Sequence, residues 1–304
     1  MRAAAWSPLS PSAAAILPQW LVFLLALALA KGLVVLGLVL LMRTGLVSFG
    51  QGLYFGLGAY AAALLANRAG LADAALMIVA GTACAAAVAA ILGLLLARYR
   101  EIFFAMLSLA FSMILYGALV KSSALGSTDG FNLHAKTFAG FALAAGSERR
   151  LFYAVSVVLV FCVAWLLHRY LASHWGRLSA AIRDNELRVE YLGASVYRVV
   201  YVNYVAAGAL AGMGGAFAAL AVGHVDPETA YWTTSGEFVF IAILGGTGNV
   251  LAPFLSAAIF EGLRTIASQY APNVWQMSLG LAMLAIIMFL PGGLWTLLQR
   301  RKAA

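Results

Sequence analysis

The stretch "QWLVFLLALALAKGLVVLGLVLLM", residues 19–42, decides the fold class of this chain. Lys31 is its single charged residue, and nearly all other positions are apolar. An α-helix of about 20 apolar residues is long enough to cross the hydrocarbon core of a bilayer. A run of this length therefore predicts a transmembrane helix rather than a buried helix of a soluble domain.

The rest of the chain has the same character. Of its 304 residues 64% are hydrophobic and 10% are charged, and the mean hydropathy is +0.94. Soluble domains contain about 25% charged residues, so this chain has too few polar residues to cover a soluble core. The alternation of apolar and polar residues that marks a β-barrel is missing. We predict an all-α polytopic membrane protein that forms a single transmembrane domain over residues 1–304.

Apolar runs of spanning length recur along the chain. We place the spans near residues 19–42, 48–66, 74–97, 102–122, 151–172, 199–223, 249–268 and 275–297. A shorter apolar piece at 235–245 ends in "LGGTGN" (Leu244 to Asn249), where the glycines should break a helix. This piece is expected to be a short or broken span, so the chain has about 8–9 spans in all.

Basic residues set the predicted orientation. They gather at Arg98 and Arg100, in the loop 173–198, and at the tail 300–302, which the positive-inside rule assigns to the cytoplasm. Because the loop and the tail are both placed in the cytoplasm, an even number of crossings must separate them. The spans 199–223, 249–268 and 275–297 make three, so 235–245 is counted as the fourth. The result is nine crossings with the N-terminus outside, and 123–150 becomes an outer loop.

The loop segment "GRLSAAIRDNELRVEYLGASVYR", residues 176–198, is the most charged part of the chain. Read as one helix over 178–192, it is amphipathic. Its apolar face, interrupted by Asn185, consists of Leu178, Ala181, Ile182, Val189 and Leu192. Asp184 and Arg188 have the spacing of a helical ion pair, and Gly193 offers a stop. The mixed charge favours a protein partner, with a membrane-surface anchor as the alternative.

Five segments of the chain, in order, resemble the permease subunits of branched-chain amino-acid ABC importers. They are "GLVSFGQGLYFGLGAYAA" (Gly45 to Ala62), "LSLAFSMILYG" followed by "GSTDG", "AIRDNELRVEYLG" followed by "VAAGALAGMGGAFAAL", "AILGGTGNVLAP" (Ala242 to Pro253) and "FLPGGLW" (Phe289 to Trp295). Three positions depart from the family pattern, and one of them is Lys31 near the centre of the first span. Val39 stands where an Asn is common, and Arg43 lies in a turn that is often Gly-Tyr-Ala-Gly.

The resemblance implies that the charged loop is a coupling helix, which carries the motion of a cytoplasmic ATPase to the membrane. The implied coupling residues are Arg183, Asp184, Asn185, Glu186, Glu190 and Gly193. The implied partners are two ABC ATPase subunits, a second related permease, an extracytoplasmic solute-binding protein and membrane lipid, without nucleic acid. This chain would bind no cofactor, since ATP and Mg²⁺ belong to the ATPases. The implied location is the bacterial inner membrane; branched-chain amino acids, urea, amides and other amino acids all remain open as cargo.

Several polar residues within the spans are candidates for a translocation path. They are Ser108, Ser112, Glu237, Thr247 and Asn249. Serines in membrane helices more often bond their own backbone, and an acidic residue in a first helical turn also suits the helix dipole. Asp129 is expected to form a turn in the outer loop, and it is also our candidate for a contact with the binding protein.

For two charged groups we favour a structural role over a role in function. Lys31 is expected to snorkel from a tilted helix to the interface, and a place in a solute pathway is the alternative. Glu261 is expected to pair with Arg264 one helix turn away. The four histidines do not have the spacing of metal ligands.

Two other classes of function compete with a permease. An ion-coupled secondary transporter or channel needs acidic residues near the middle of the membrane, and no acidic residue is expected there. An intramembrane enzyme needs clustered catalytic side chains at membrane depth, and none is apparent in the sequence. The chain also has no G-x-x-x-x-G-K-[S/T] motif of its own. Neither alternative explains the charged loop, so an ATP-driven importer permease without enzymatic activity is the preferred interpretation.

Overall fold

The structure is a computed structural model. It describes residues 19–70, 73–133, 137–138, 141–142, 148–270, 272, 274–289 and 293–295. The basic tail 300–302 and the last residues of the predicted span 275–297 lie outside the described residues.

The described residues form eleven α-helices, and every predicted span coincides with one of them. The helices are α1 (Gln19–Met42), α2 (Gln51–Arg68), α3 (Ala74–Leu96), α4 (Glu101–Lys121), α5 (Glu148–Ala172), α6 (His174–Asp184), α7 (Glu186–Tyr191), α8 (Val196–Val222), α9 (Trp232–Gly245), α10 (Ala252–Tyr270) and α11 (Trp275–Phe289). Short 3₁₀ helices occur at Ser123–Leu125 and Pro227–Ala230. The all-α polytopic architecture is confirmed.

Four two-residue strands complete the described structure. They are β1 (Phe131–Asn132), β2 (Thr137–Phe138), β3 (Phe141–Ala142) and β4 (His224–Val225). Strand β1 pairs antiparallel with β4, and β2 pairs antiparallel with β3. The first pairing ties the predicted outer loop to the end of α8.

Five of the described helices, α1, α3, α4, α5 and α8, are long and apolar enough to cross a membrane. Helix α9, the predicted short span, has 14 residues and is therefore about 21 Å long. A bilayer core is about 30 Å thick, so α9 by itself reaches only part of the way across.

Two contacts identify the ends of the helix bundle. Arg100, just before α4, pairs with Glu186 of α7, so two of the three predicted cytoplasmic sites share one end, which we call the inner end. Arg68, at the end of α2, donates to the carbonyl oxygen of Ala124 beyond the far end of α4. That end is the outer end.

Helix α8 lies at the centre of the bundle and packs against α1, α2 and α3. Its glycines allow this close approach. A Cβ atom at Gly212 would collide with Ala85 of α3, and one at Gly58 of α2 would collide with the carbonyl oxygen of Gly212. Small residues let helix backbones approach closely in membranes, which accounts for the Ala/Gly-rich sequence of α8.

Candidate functional site

A cavity of about 420 Å³ lies within the bundle, between α1, α2, α8, α9 and α10. Leu27, Phe55 and Val222 supply part of its apolar wall. Its charged lining residues are Lys31, Asp226, Glu228, Glu237, Glu261 and Arg264. A mostly apolar cavity of several hundred Å³ with a few converging polar groups is the usual form of a small-molecule site.

Four of the six charged residues that line the cavity are paired with one another. Lys31 Nζ donates to Glu237 Oε2 at 3.1 Å and lies 2.5 Å from Glu261 Oε1. Arg264 Nη1 contacts the same Glu237 oxygen at 3.4 Å. Two predictions are therefore wrong: Lys31 is buried within the bundle rather than snorkelling, and Glu261 pairs with Lys31 rather than with Arg264.

Lys31 and Glu261 lie near the middle of their helices, α1 and α10. Charges at mid-membrane are costly, and they are retained where they pair and serve a function. The two cations and two anions sum to zero, so the cluster itself adds no net charge to the interior. The expectation that no acidic residue lies at the middle of a span is corrected by Glu261, which the sequence had placed near a span end.

The cavity extends towards the outer end of the bundle. His224 and Asp226, which follow the outer end of α8, line it together with Ser268, near the end of α10. On the inner side, α1 residues Leu33 and Leu41 are fully buried. The charged cluster therefore lies at the inner floor of a cavity that reaches the outer end.

Ser108 and Ser112 form hydrogen bonds with backbone groups of two irregular segments. Ser108 Oγ accepts from the backbone N–H of Phe49 at 3.1 Å, and Ser112 Oγ donates to the carbonyl of Ala230 at 2.8 Å. Backbone that leaves helical geometry inside a membrane protein must find such partners. Both serines are buried and lie outside the lining of the charged cavity.

Thr247 and Asn249 lie beyond the inner end of α9. The carbonyl oxygen of Thr247 accepts from Arg43 Nη2 at 3.0 Å, and Asn249 Oδ1 accepts from the backbone N–H of Leu251 at 3.1 Å. Burial lowers the pKa of the Arg43 guanidinium below its usual value. Neither Thr247 nor Asn249 lines the charged cavity, so Glu237 alone of the predicted path residues does.

The predicted coupling segment consists of two helices instead of one. Asn185 adopts an extended conformation between α6 and α7, and its side chain accepts from the backbone N–H of Arg188 at 2.9 Å. This N-cap replaces the predicted Asp184–Arg188 ion pair, whose helical spacing the break removes. The helix ends at Gly193 as predicted, since that residue has φ +84°.

The break also changes which apolar residues are buried. Ile182 and Val189 pack inside, but Leu192, predicted on the same face, is 81% exposed. Leu187 and Tyr191 are exposed as well, at 65% and 89%. With Asn185 and Arg188, these three side chains line a surface groove at the inner end, and we call this set the inner groove.

Contacts to the helix bundle hold α6 and α7 in place. Arg100 Nε donates to both Glu186 carboxylate oxygens, at 2.9 and 3.0 Å. Asn203 of α8 donates to Ser179 Oγ of α6 at 2.8 Å and accepts from the Tyr170 hydroxyl of α5 at 2.7 Å. Glu186, predicted to face an ATPase, is thus engaged within the chain.

The remaining predicted coupling residues are accessible. Arg183, Asp184 and Glu190 are exposed at the inner end, beside the inner groove. Asp129 lies in a turn near the outer end and is exposed, which confirms the predicted turn.

Sequence reasoning missed Arg100 and Asn203 as partners of the coupling segment. Arg100 was counted only as a basic loop residue, and Asn203 lies in an apolar run where a lone amide could have signalled a buried hydrogen bond. Among the described residues, no group of three His, Cys, Asp or Glu side chains could hold a metal ion.

Comparison with known proteins gives a consistent result. The family model described as "branched-chain amino acid transport system / permease component" matches residues 20–290. The high-affinity branched-chain amino acid transport system permease proteins LivM of Escherichia coli K12 and of Salmonella typhimurium LT2 are each 28% identical over 274 residues. These alignments cover 83% of this chain, which spans 64% of the length of those relatives. No solved structure matches the chain.

Proposed function

Because the chain belongs to the family of branched-chain amino acid transport system permease components, we propose that it is the membrane-spanning permease subunit of an ATP-driven importer. Its cargo would be branched-chain amino acids or related small polar solutes. It would lie in the bacterial inner membrane and use ATP and Mg²⁺ only through separate ATPase subunits. A second related permease and an extracytoplasmic solute-binding protein would complete the assembly.

The observation that carries this proposal is the exposed inner groove. It lies on α7 and the residues that flank it, and an ion pair and a hydrogen bond fix α6 and α7 to the helix bundle. Leu187, Tyr191 and Leu192 expose apolar surface next to the charged residues Arg183 and Glu190. A groove of mixed apolar and charged character suits a soluble protein better than a lipid surface, which favours Lys- and Arg-rich helices. The occupant we propose is a cytoplasmic ABC ATPase.

The contacts of α6 and α7 with the helix bundle explain how movement of the ATPase would reach the membrane. The Arg100–Glu186 pair joins α7 to the start of α4, and the Asn203–Ser179 hydrogen bond joins α6 to α8. A displacement of α6 and α7 would therefore move α4 and α8, and α8 lines the charged cavity. This is the kind of two-state rigid-body element on which alternating access depends.

The test is ATP hydrolysis and uptake in liposomes. The chain is purified with the candidate ATPase, second permease and binding protein encoded near it, and hydrolysis is measured with and without binding protein and amino acids. We expect ligand-loaded binding protein to stimulate hydrolysis, and Arg183→Glu and Glu190→Ala to uncouple it. The matched control is Lys121→Ala, an exposed charge at the outer end of α4. If no ATPase co-purifies and the loop variants behave like the control, the importer proposal fails.

One observation favours a second candidate, an ion-coupled secondary transporter. Glu261 lies near the middle of α10, and ion-coupling carboxylates lie inside transmembrane bundles. In that case uptake by this chain alone would follow an imposed proton or sodium gradient and would not require ATP. The importer proposal predicts the opposite, ATP-dependent uptake that a protonophore leaves unchanged.

A further inference from the structure

We propose that the charged cavity of this chain is itself a binding site for a small zwitterion, a solute that carries one carboxylate, one ammonium group and an apolar side chain. In this site Lys31 and Arg264 would hold the carboxylate, and Glu237 would hold the ammonium group. The inference rests on the proposed function, since it specifies the solute and assigns its recognition to the permease as well as to the binding protein.

The first argument is unused hydrogen-bonding capacity. Lys31 and Arg264 both approach Glu237 Oε2, at 3.1 and 3.4 Å. Among the described residues, the Oε1 atom of Glu237 has no hydrogen-bond or ion-pair partner. A guanidinium has five N–H donors and an ammonium has three, so both cations retain donors for a ligand carboxylate.

The second argument is the charge balance of the cluster at the floor of the cavity. Its two cations and two anions already compensate one another, and the two further acids of the lining, Asp226 and Glu228, follow the outer end of α8. A solute with a net charge would bring an unpaired charge into a poorly solvated interior, which is costly. A zwitterion adds no net charge and can exchange its two charged groups for contacts that the cluster already makes.

The third argument is that the charges and the apolar wall face one space. Leu27, Phe55 and Val222 line the same cavity as the ion pairs. An aliphatic side chain can contact this wall while the charged end of the solute reaches the cluster. A neutral amide or urea can form hydrogen bonds with these charged groups, but it cannot form an ion pair with any of them.

The partial exposure of Arg264 and Glu237 supports the entry of a ligand into the cavity. The side chains of Arg264 and Glu237 are 38% and 23% exposed, against 9% and 6% for Lys31 and Glu261. Arg264 and Glu237 thus face the open part of the cavity, and the Lys31–Glu261 pair forms its floor. A solute entering from the outer end would meet Arg264 and Glu237 first.

The experiment measures binding to the purified full-length chain in lipid nanodiscs, without ATP or partner subunits. Radiolabelled L-leucine is the probe. The competitors keep its isobutyl side chain and lose one or both charges: 4-methylpentanoate, 3-methylbutylamine and 4-methylpentanamide. We expect saturable leucine binding, with each competitor about tenfold or more weaker than unlabelled leucine, because each loses a hydrogen bond between charged groups.

Variants locate the site. Arg264→Met and Glu237→Gln should weaken leucine binding about tenfold or more, whereas Arg68→Met, which removes a cation at the outer end away from the cavity, should leave it unchanged. If Lys31→Met alone fails to fold, the double variant Lys31→Met with Glu261→Gln replaces it, because this variant removes one cation and one anion and leaves the charge of the cluster unchanged. Any one of three results would overturn the proposal. The wild-type chain does not bind leucine, the neutral amide competes as well as leucine does, or Arg264→Met and Glu237→Gln bind leucine as tightly as the wild type.

The importer function and the zwitterion site would be contradicted by different results. ATP-dependent uptake by the assembled complex without leucine binding to the isolated chain would leave the importer function standing and remove this site. Leucine binding without ATP-dependent uptake would leave the site standing and remove the importer function.

Discussion

The Lys31 ammonium group donates to the Glu237 carboxylate at 3.1 Å, joining α1 to α9 across 206 positions of sequence. The same ammonium group contacts Glu261 of α10. Three helices that meet around the cavity are therefore joined by one buried cation. Their relative positions depend on this charge being compensated.

The first prediction concerns the stability of this cluster. Lys31→Met leaves Glu261 buried without its cation, and removing one partner of a buried ion pair costs about 3–5 kcal/mol. We expect Lys31→Met to lower the free energy of unfolding by that order in detergent micelles. Adding Glu261→Gln should recover much of the loss, because no uncompensated buried charge then remains. Equal stability of the single variant and the wild type would show that the pair is solvated.

The second prediction concerns the packing of α8. At Gly58 an added methyl group would collide with the Gly212 backbone, whereas at Gly117 it would meet no atom within 4 Å. Gly58→Ala should destabilise the protein by about 1–3 kcal/mol, as overpacking does. Gly117→Ala is the matched control and should be neutral or stabilising, since alanine favours the helix. Thermal unfolding of both variants measures the contrast, and similar melting temperatures would contradict the close approach.

The third prediction concerns the link between the coupling segment and the bundle. Asn203→Leu removes the hydrogen bonds to Ser179 and Tyr170 and leaves two hydroxyl groups with fewer partners. The cost should be about 1–3 kcal/mol, and about 1.4 kcal/mol corresponds to a tenfold change in an equilibrium.

We therefore expect amide hydrogen exchange in α6 to accelerate about tenfold in Asn203→Leu. The control is Ser256→Ala, because the Ser256 hydroxyl donates to carbonyls of its own helix, α10, and to no other group in the part of the chain that the structure describes. Unchanged exchange in α6, or an equal effect of Ser256→Ala, would mean that Asn203 does not hold the segment.

The fourth prediction concerns the inner groove. Tyr191→Asp and Leu192→Asp change side chains that are 89% and 81% exposed, so the melting temperature should stay close to that of the wild type. Binding of the proposed ATPase should fall about tenfold or more, because a charge enters an apolar contact.

Pull-down and calorimetry with the purified ATPase test this prediction, with Lys121→Asp at the outer end as the control. Wild-type affinity in both groove variants would move the ATPase contact away from Leu187, Tyr191 and Leu192. A loss of affinity in Lys121→Asp as well would mean that the effect is not specific to the groove.

The sequence alone was enough to locate the helices of the predicted spans, although not the break between α6 and α7. Every predicted span matched a helix, and the stop at Gly193 was correct, because apolar run length and glycine conformation are local properties. Even the short α9 was anticipated from the glycines after Leu244. The order of the family-like segments was likewise readable without any knowledge of contacts.

Contacts between distant positions required the tertiary structure. Glu261 has Arg264 one turn away and yet pairs with Lys31, and Glu186 finds Arg100 instead of a partner outside the chain. Helical spacing identifies neighbours on one helix, but a buried charge takes whichever opposite charge packing brings within reach. The sequence thus determined a polytopic helical membrane protein with a charged inner loop. Only the packing of α1, α9 and α10 decided that its few membrane charges meet in one cavity, because an unpaired charge there would cost more than the fold could tolerate.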